Sequence, residues 1–194
     1  MRRTILRSTL AICLLSLVLS TSAAAEEATD GETKTSQVAV MKTNHGTMVF
    51  SFYPDEAPKT VEHMKTLITE GFYNGREFYR VVAGHVIQTG NEKGDRRRKV
   101  VGEFSDTLKH IPGAVGLARS ANPNGGTTEF YICLADRPHL DGNYAIFGQV
   151  IEGMDVLEKI GAVPVDEKWV GGGDVAFHRP KEPVVIESLT LEER

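Results

Sequence analysis

The sequence predicts a mainly β fold: a closed eight-stranded antiparallel barrel with two α-helices. Two observations lead there. Short β-rich runs bounded by Gly, Pro, Asn and Asp recur along the chain, and counting them gives about eight strands. Only two stretches place apolar residues at helical spacing. Short strands with frequent turns favour closure, because a closed sheet leaves no unpaired edge. No internal repeat and no second domain is apparent.

The elements follow in order. Arg2, Arg3 and Arg7 precede an apolar run from Leu10 to Leu19, and Thr21 to Ala25 are small residues. The run is too short to span a membrane comfortably. Basic start, short apolar core and Ala-x-Ala end predict a secretory signal peptide over 1–25, cut after Ala25. The alternative is an uncleaved anchor helix. Export is therefore expected, to a periplasm if the cell has an outer membrane and otherwise to the exterior. Cleavage would remove 25 of the 194 residues and leave 169, enough for one core. It would remove three arginines and no acidic residue, taking the net charge from −4 to −7. Such a balance argues against nucleic acid or anionic membrane as main partner. Cys133 would be the remaining cysteine, so no internal disulfide could form; a buried inert thiol is expected. Residues 26–36 are small and polar and predict a flexible leader; the domain then runs over 37–194.

Val38 to Lys42 and Thr47 to Phe52 alternate around Asn44-His45-Gly46, which predicts a hairpin with a positive φ at Gly46. Pro54 to Pro58 opens a helix with Val61, Met64, Leu67 and Ile68 on one stripe, and Gly71 closes it. This helix is expected to lie as a lid over the barrel mouth, with His63 off the stripe and solvated. Residues 92–99 are a charged loop, and Asn122 to Gly126 are turn formers. Glu129 to Leu134, Ala145 to Glu152 and Val184 to Leu191 are further strands. Met154 to Ile160 is a short helix closed by Gly161. The glycines at 171–173 and Pro180 mark a long irregular segment. The six histidines lack ligand-like spacing, so no metal site is expected.

The stretch from Phe78 to Gly90 carries the chemistry. Two β-rich runs flank Ala83-Gly84, which predicts a strand pair. Alternation would place Phe78, Arg80 and Val82 on one face. Arg80 between apolar neighbours is either a snorkelling or salt-bridged surface residue, or a fixed cation on an apolar floor. Gln88 in the second run could hold the guanidinium through its amide oxygen.

Phe78-Tyr79-Arg80-Val81-Val82, then Gln88-Thr89-Gly90, resembles the signature strand pair of the cyclophilin-type peptidyl-prolyl isomerases. Gly113 to Arg119 with Thr128 to Cys133, and Leu140-Asp141-Gly142 with Ala145 to Val150, extend the resemblance over roughly residues 40–190. It implies a barrel capped by a helix at each end, and isomerisation of X-Pro bonds with no cofactor and no metal. Arg80 and Gln88 would be catalytic. Phe78, Val86, Phe130, Leu140 and Tyr144 would line or border the proline slot, with Ala118 nearby; Phe130 and Leu140 could equally be core. His85, Glu129 and His139 fall in substrate-binding positions of the pattern but depart from it. His85 stands where the family usually has Phe, Glu129 and Tyr131 where it commonly has Gln and Phe. Tyr144 and His139 stand where many eukaryotic members carry His and Trp. Protonation of His85 is expected to lower activity in acid between about pH 5 and 8.

The implied partners are proline-containing polypeptides, chiefly unfolded exported proteins, bound by a monomer not inserted in the membrane. A proline-peptide binding module without turnover, or a chaperone, could use the same barrel. The tryptophan missing at His139 is one that helps hold cyclosporin in the family. Weak cyclosporin binding is therefore predicted, to be checked by titrating the drug against activity; nanomolar inhibition would refute it.

Overall fold

Hydrophobic alternation sets the sheet. In β1 (Gln37–Thr43) and β2 (Gly46–Phe52), Ala39, Met41, Met48 and Phe50 turn inward and are fully buried. The two strands pair antiparallel, with Thr43 opposite Gly46 across the Asn44-His45 turn. Gly46 has φ +134, as the turn requires. This computed structural model describes residues 36–90, 99–169 and 176–194, which fall within one compact unit. The signal segment, residues 26–35 of the leader, positions 92–98 of the charged loop and the glycines at 171–173 lie outside the described residues. Ser36, expected to end the leader, instead exchanges backbone hydrogen bonds with Arg194 (2.7 and 3.0 Å) and extends the β1 edge.

The remaining strands are β3 (Arg80–Val82), β4 (Val86–Thr89), β5 (Ala114–Leu117), β6 (Phe130–Cys133), β7 (Ile146–Glu152), β8 (Val165–Trp169), β9 (Ala176–Pro180) and β10 (Ile186–Glu193). Eight form one antiparallel sheet in the order β10-β1-β2-β7-β5-β6-β4-β3. The expectation of a closed ladder needs correcting: the sheet is an open half-barrel. β3 is only three residues long, so β3 and β10 share no ladder. The chain ahead of each meets at one isolated bridge, Glu77 to Val185, flanked by Phe78 N–H to Val184 O (2.9 Å) and Gly75 N–H to Ile186 O (2.7 Å).

The segment expected to be irregular instead contains paired strands. β8 and β9 form a separate two-stranded hairpin, with Glu167 opposite His178. Asp, Glu and Lys are weak strand formers, so Asp166-Glu167-Lys168 hid the strand. Cross-strand pairing overrides that preference.

Helix α1 (Pro58–Thr69) starts on proline and ends before Gly71 at φ +68. Val61, Met64, Leu67 and Ile68 are buried as the spacing predicts. His63 is not solvated; it is 7% exposed, and its Nε2 lies 2.5 Å from Thr127 O. Thr60, His63 and Leu67 recur at i, i+3 and i+7, and make a second buried stripe. The helix also lacks a cap of its own, since Ala57 precedes it. Glu103 supplies one from a distant loop. Its carboxylate accepts the Lys59 N–H (3.1 Å), the Thr60 N–H (2.8 Å) and the Thr60 hydroxyl (2.8 Å). A carboxylate there meets unpaired donors and the positive end of the helix dipole. Helix α2 (Met154–Gly161) buries Val156, Leu157 and Ile160.

The core thus lies on the inner face of the sheet, around Phe50, Tyr73, Phe78, Phe130 and Phe147. A second, smaller cluster (Val86, Ala114, Tyr131, Cys133, Ile146) sits on the outer face of β4, β5 and β6. Cys133 is fully buried and its thiol is pushed up to about 12, chiefly by burial.

Glu103→Ala is expected to cost about 1–2 kcal/mol, the usual worth of an N-cap. Urea unfolding checks this: the midpoint should fall with an unchanged slope. An unaltered midpoint would show that the long-range cap adds nothing.

Candidate functional site

The site is built on the outer face of β3, β4 and β6. Arg80 pairs with Gln88 across the β3–β4 ladder, so the two side chains leave the sheet side by side. Arg80 Nη1 donates to Gln88 Oε1 (3.0 Å). The Gln88 amide nitrogen donates to Tyr79 Oη (2.7 Å) and Glu129 Oε2 (3.2 Å). These acceptors fix the amide orientation, and the amide fixes the guanidinium. Arg80 Nε is buried with no acceptor among the described residues.

Partial burial lowers the pKa of Arg80, opposed by Tyr79 and Tyr144 nearby. The group keeps its charge, as arginine does in proteins. The same charge acts on His85. Burial, with Arg137, Arg80 and His139 close by, takes its imidazole down to about 4.

Arg80, Gln88, His85, Val86 and Ala118 line a cavity of about 360 Å³, together with Glu129, Leu140 and Tyr144. Its size is within the range of small-ligand clefts. His139 stands exposed beside it, its ring stacked against His85 with centroids 5.9 Å apart. A larger hollow of about 710 Å³ borders α1 and is lined by Pro54, Val61, Glu62, Lys65 and Leu191. Lys65 there sits over the Phe52 ring at 4.8 Å, whereas the smaller cavity carries the Arg80 guanidinium held by Gln88.

Two expected residues are elsewhere. Phe78 and Phe130 are fully buried in the core on the opposite face. Phe78 precedes β3, where the chain is not in the ladder, so strict alternation back from Arg80 fails. Phe130 faces inward because Glu129 and Tyr131 face outward. Tyr131 takes the place proposed for Phe130, and the spacing already implied this: a residue sharing Glu129's face must be two positions on. Arg119 also lines the cavity. Its Nε and Nη2 donate to Asn143 O (3.0 and 2.6 Å), and its guanidinium carbon sits 4.5 Å from the centre of the Tyr144 ring. No local sequence signal pointed to it.

The arrangement offers a held guanidinium over a slot walled by Val86, Tyr131, Leu140 and Tyr144. A held guanidinium beside an apolar slot suits a reaction that proceeds by binding and charge stabilisation.

The low value for His85 moves the expected pH effect. Between about pH 5 and 8 the imidazole is neutral, so kcat/KM should be flat there and fall only as pH approaches 4. The unfolded chain takes up this proton near 6.5 and the folded chain near 4, so acid also erodes stability across that window. An NMR titration of the His85 ring beside the rate profile checks both. A loss of activity centred on 6.5, tracking His85, would contradict the geometry.

Residues 38–191 match the family model for cyclophilin type peptidyl-prolyl cis-trans isomerases. Peptidyl-prolyl cis-trans isomerase B of Escherichia coli is 34% identical over 166 residues, covering 78% of this chain and 97% of that protein. A peptidyl-prolyl cis-trans isomerase of Arabidopsis thaliana is 35% identical over 159 residues, covering 76% of this chain and 67% of its own length. A Cryptosporidium parvum cyclophilin type isomerase, solved in the presence of the dipeptide Ala-Pro, superposes with a TM-score of 0.71 at 24% identity. The match covers 81% of this chain and 99% of that one, and shows the shared fold. The chain belongs to the cyclophilin-type peptidyl-prolyl cis-trans isomerase family.

Proposed function

We propose that this protein catalyses cis/trans isomerisation of X-Pro bonds in polypeptides, with Arg80 as the catalytic donor and Gln88 as its holder. The observation that carries this reading is the hydrogen-bonded guanidinium beside the slot. Rotation about a peptide bond costs about 18–20 kcal/mol because it breaks amide resonance. At the top of that barrier the prolyl nitrogen regains its lone pair and becomes a good acceptor. A donor aimed at it stabilises the twisted bond more than either planar form. Each ~1.4 kcal/mol so gained is about tenfold in rate. Arg80 suits the part because its charge is permanent and its orientation is set before substrate arrives. Val86, Tyr131, Leu140 and Tyr144 would hold the proline ring, with Ala118 and Arg119 beside them. Glu129 and His85 would meet the flanking peptide, and His139 would stand at the rim.

Export belongs to the same proposal. Its support is the basic, apolar and small-residue pattern of 1–25, which makes unfolded exported proteins the natural clients. N-terminal sequencing of protein recovered from its native cells should find Glu26 first.

The deciding assay follows isomerisation of an Ala-Pro-Phe type tetrapeptide by the mature protein and by Arg80→Ala, with peptide binding measured in parallel. Wild type should accelerate exchange. The variant should lose on the order of 100-fold in kcat, as when one transition-state donor is removed, while still binding peptide. Binding by wild type with no acceleration would make the barrel a recognition module and Arg80 an anchor.

A further inference from the structure

Behind the slot lies a chain of hydrogen bonds that the reaction itself does not use. Tyr131 Oη is 2.8 Å from His110 Nε2, and His110 Nδ1 is 2.8 Å from Asp141 Oδ1. The same carboxylate oxygen accepts the His110 backbone N–H (2.9 Å). The His110 side chain is fully buried. Asp141 as a carboxylate can only accept, so the imidazole proton sits on Nδ1 and Nε2 is left as the acceptor. The Tyr131 hydroxyl therefore donates to His110 and points away from the cavity that its ring lines. The charges support this state. Burial lowers the pKa of His110 and keeps it neutral, while the His110 hydrogen bonds hold Asp141 below the usual carboxylate range.

Two further observations tie the chain to the slot. The phenol lies across Gly116 on β5, where a Cβ would collide with Tyr131 Cζ and Oη. Asp141 directly follows Leu140 and precedes Tyr144, and the Tyr144 ring meets Tyr131 edge-on with centroids 6.0 Å apart. One carboxylate thus anchors two walls of the cavity.

We propose that His110 and Asp141 are positioning residues for the proline slot: they hold the Tyr131 ring flat as its floor by engaging its hydroxyl, and Gly116 leaves the space that the ring needs. Phenylalanine, which the family pattern commonly has at 131, needs no such partner. The hydroxyl of this chain does, because a buried O–H without an acceptor is costly, and the cavity that the ring already lines offers water as a substitute acceptor. Without His110, Tyr131 would swing into the slot and compete with the proline ring. The inference rests on the isomerase reading above.

A double-mutant cycle tests it. His110→Phe, Tyr131→Phe and the pair are assayed with a tetrapeptide, measuring kcat, KM and peptide Kd, with thermal melting alongside. The floor contacts the ring in planar and twisted states alike, so His110→Phe should raise KM and Kd about tenfold with kcat little changed. In the Tyr131→Phe background the same substitution should change KM and Kd less than about twofold, because no hydroxyl remains to misplace. His110→Gln, whose amide oxygen can accept from Tyr131, should recover most of the loss; it also serves if His110→Phe does not fold. A purely structural role would lower the melting temperature and leave KM alone, and that result overturns the proposal. So does an equal rise of KM in both backgrounds. Wild type that binds but does not turn over sinks the isomerase reading, and the cycle is then read on Kd. Wild type that does neither sinks both.

Discussion

An arginine set among apolar side chains on a sheet must have an acceptor, and here it is the Gln88 amide oxygen at 3.0 Å. That bond exists because Arg80 and Gln88 are register partners in a hairpin closed by Ala83-Gly84. A slip of either strand by one residue would turn its polar side chain into the core and leave the other without its partner. Gln88 in turn needs Tyr79 and Glu129 for its amide protons, so β6 must lie beside β4 in its observed register. The ladder order of half the sheet can be read as the requirement for one immobilised guanidinium.

The two faces of the sheet divide the labour. Val81, Ile87, Phe130 and Ile132 pack inward and supply stability. Arg80, Gln88, Glu129 and Tyr131 project outward from the same strands and form the cavity wall. Val86 and Gln88 of β4 and Tyr131 of β6 line the site, while Ile87, Phe130 and Ile132 between them pack into the core. The scaffold needs no complete hydrogen-bonded closure for this, which fits an open half-barrel. The edges β3 and β10 lie at the ends of the ladder order, while β4, β6 and β5 sit inside it. The small cluster on the outer face fills the space behind the slot and carries the buried Cys133.

Much of this was legible in the sequence, because the informative signals are local. The β1–β2 hairpin, α1, α2 and the β3–β4 pair each announce themselves through alternation, helical spacing or a turn glycine. Arg80 and Gln88 stand out in the sequence because a charged residue in an apolar run demands an explanation, and the structure brings the two together. What was missed depends on distance along the chain. Glu103 caps a helix that begins 45 residues earlier, at Pro58. His63 is buried by Thr127, and Arg119 is fixed by Asn143, in neither case through a neighbour in sequence. Phe78 and Phe130 were placed in the slot by family pattern, although alternation from Glu129 favours Tyr131. The β8–β9 hairpin was hidden because its charged residues resist strand formation until a partner strand is supplied.

The central claim is that the Arg80 guanidinium is held still and meets the prolyl group of the substrate. Side-chain ¹⁵N NMR of Arg80 tests this most directly, in free protein and with Ala-Pro and Ala-Ala peptides at saturation. Slow rotation about the Nε–Cζ bond in the free protein, and a shift of the Arg80 signals with the proline peptide alone, is the predicted result. Freely averaged signals that do not respond to the bound proline peptide would contradict it.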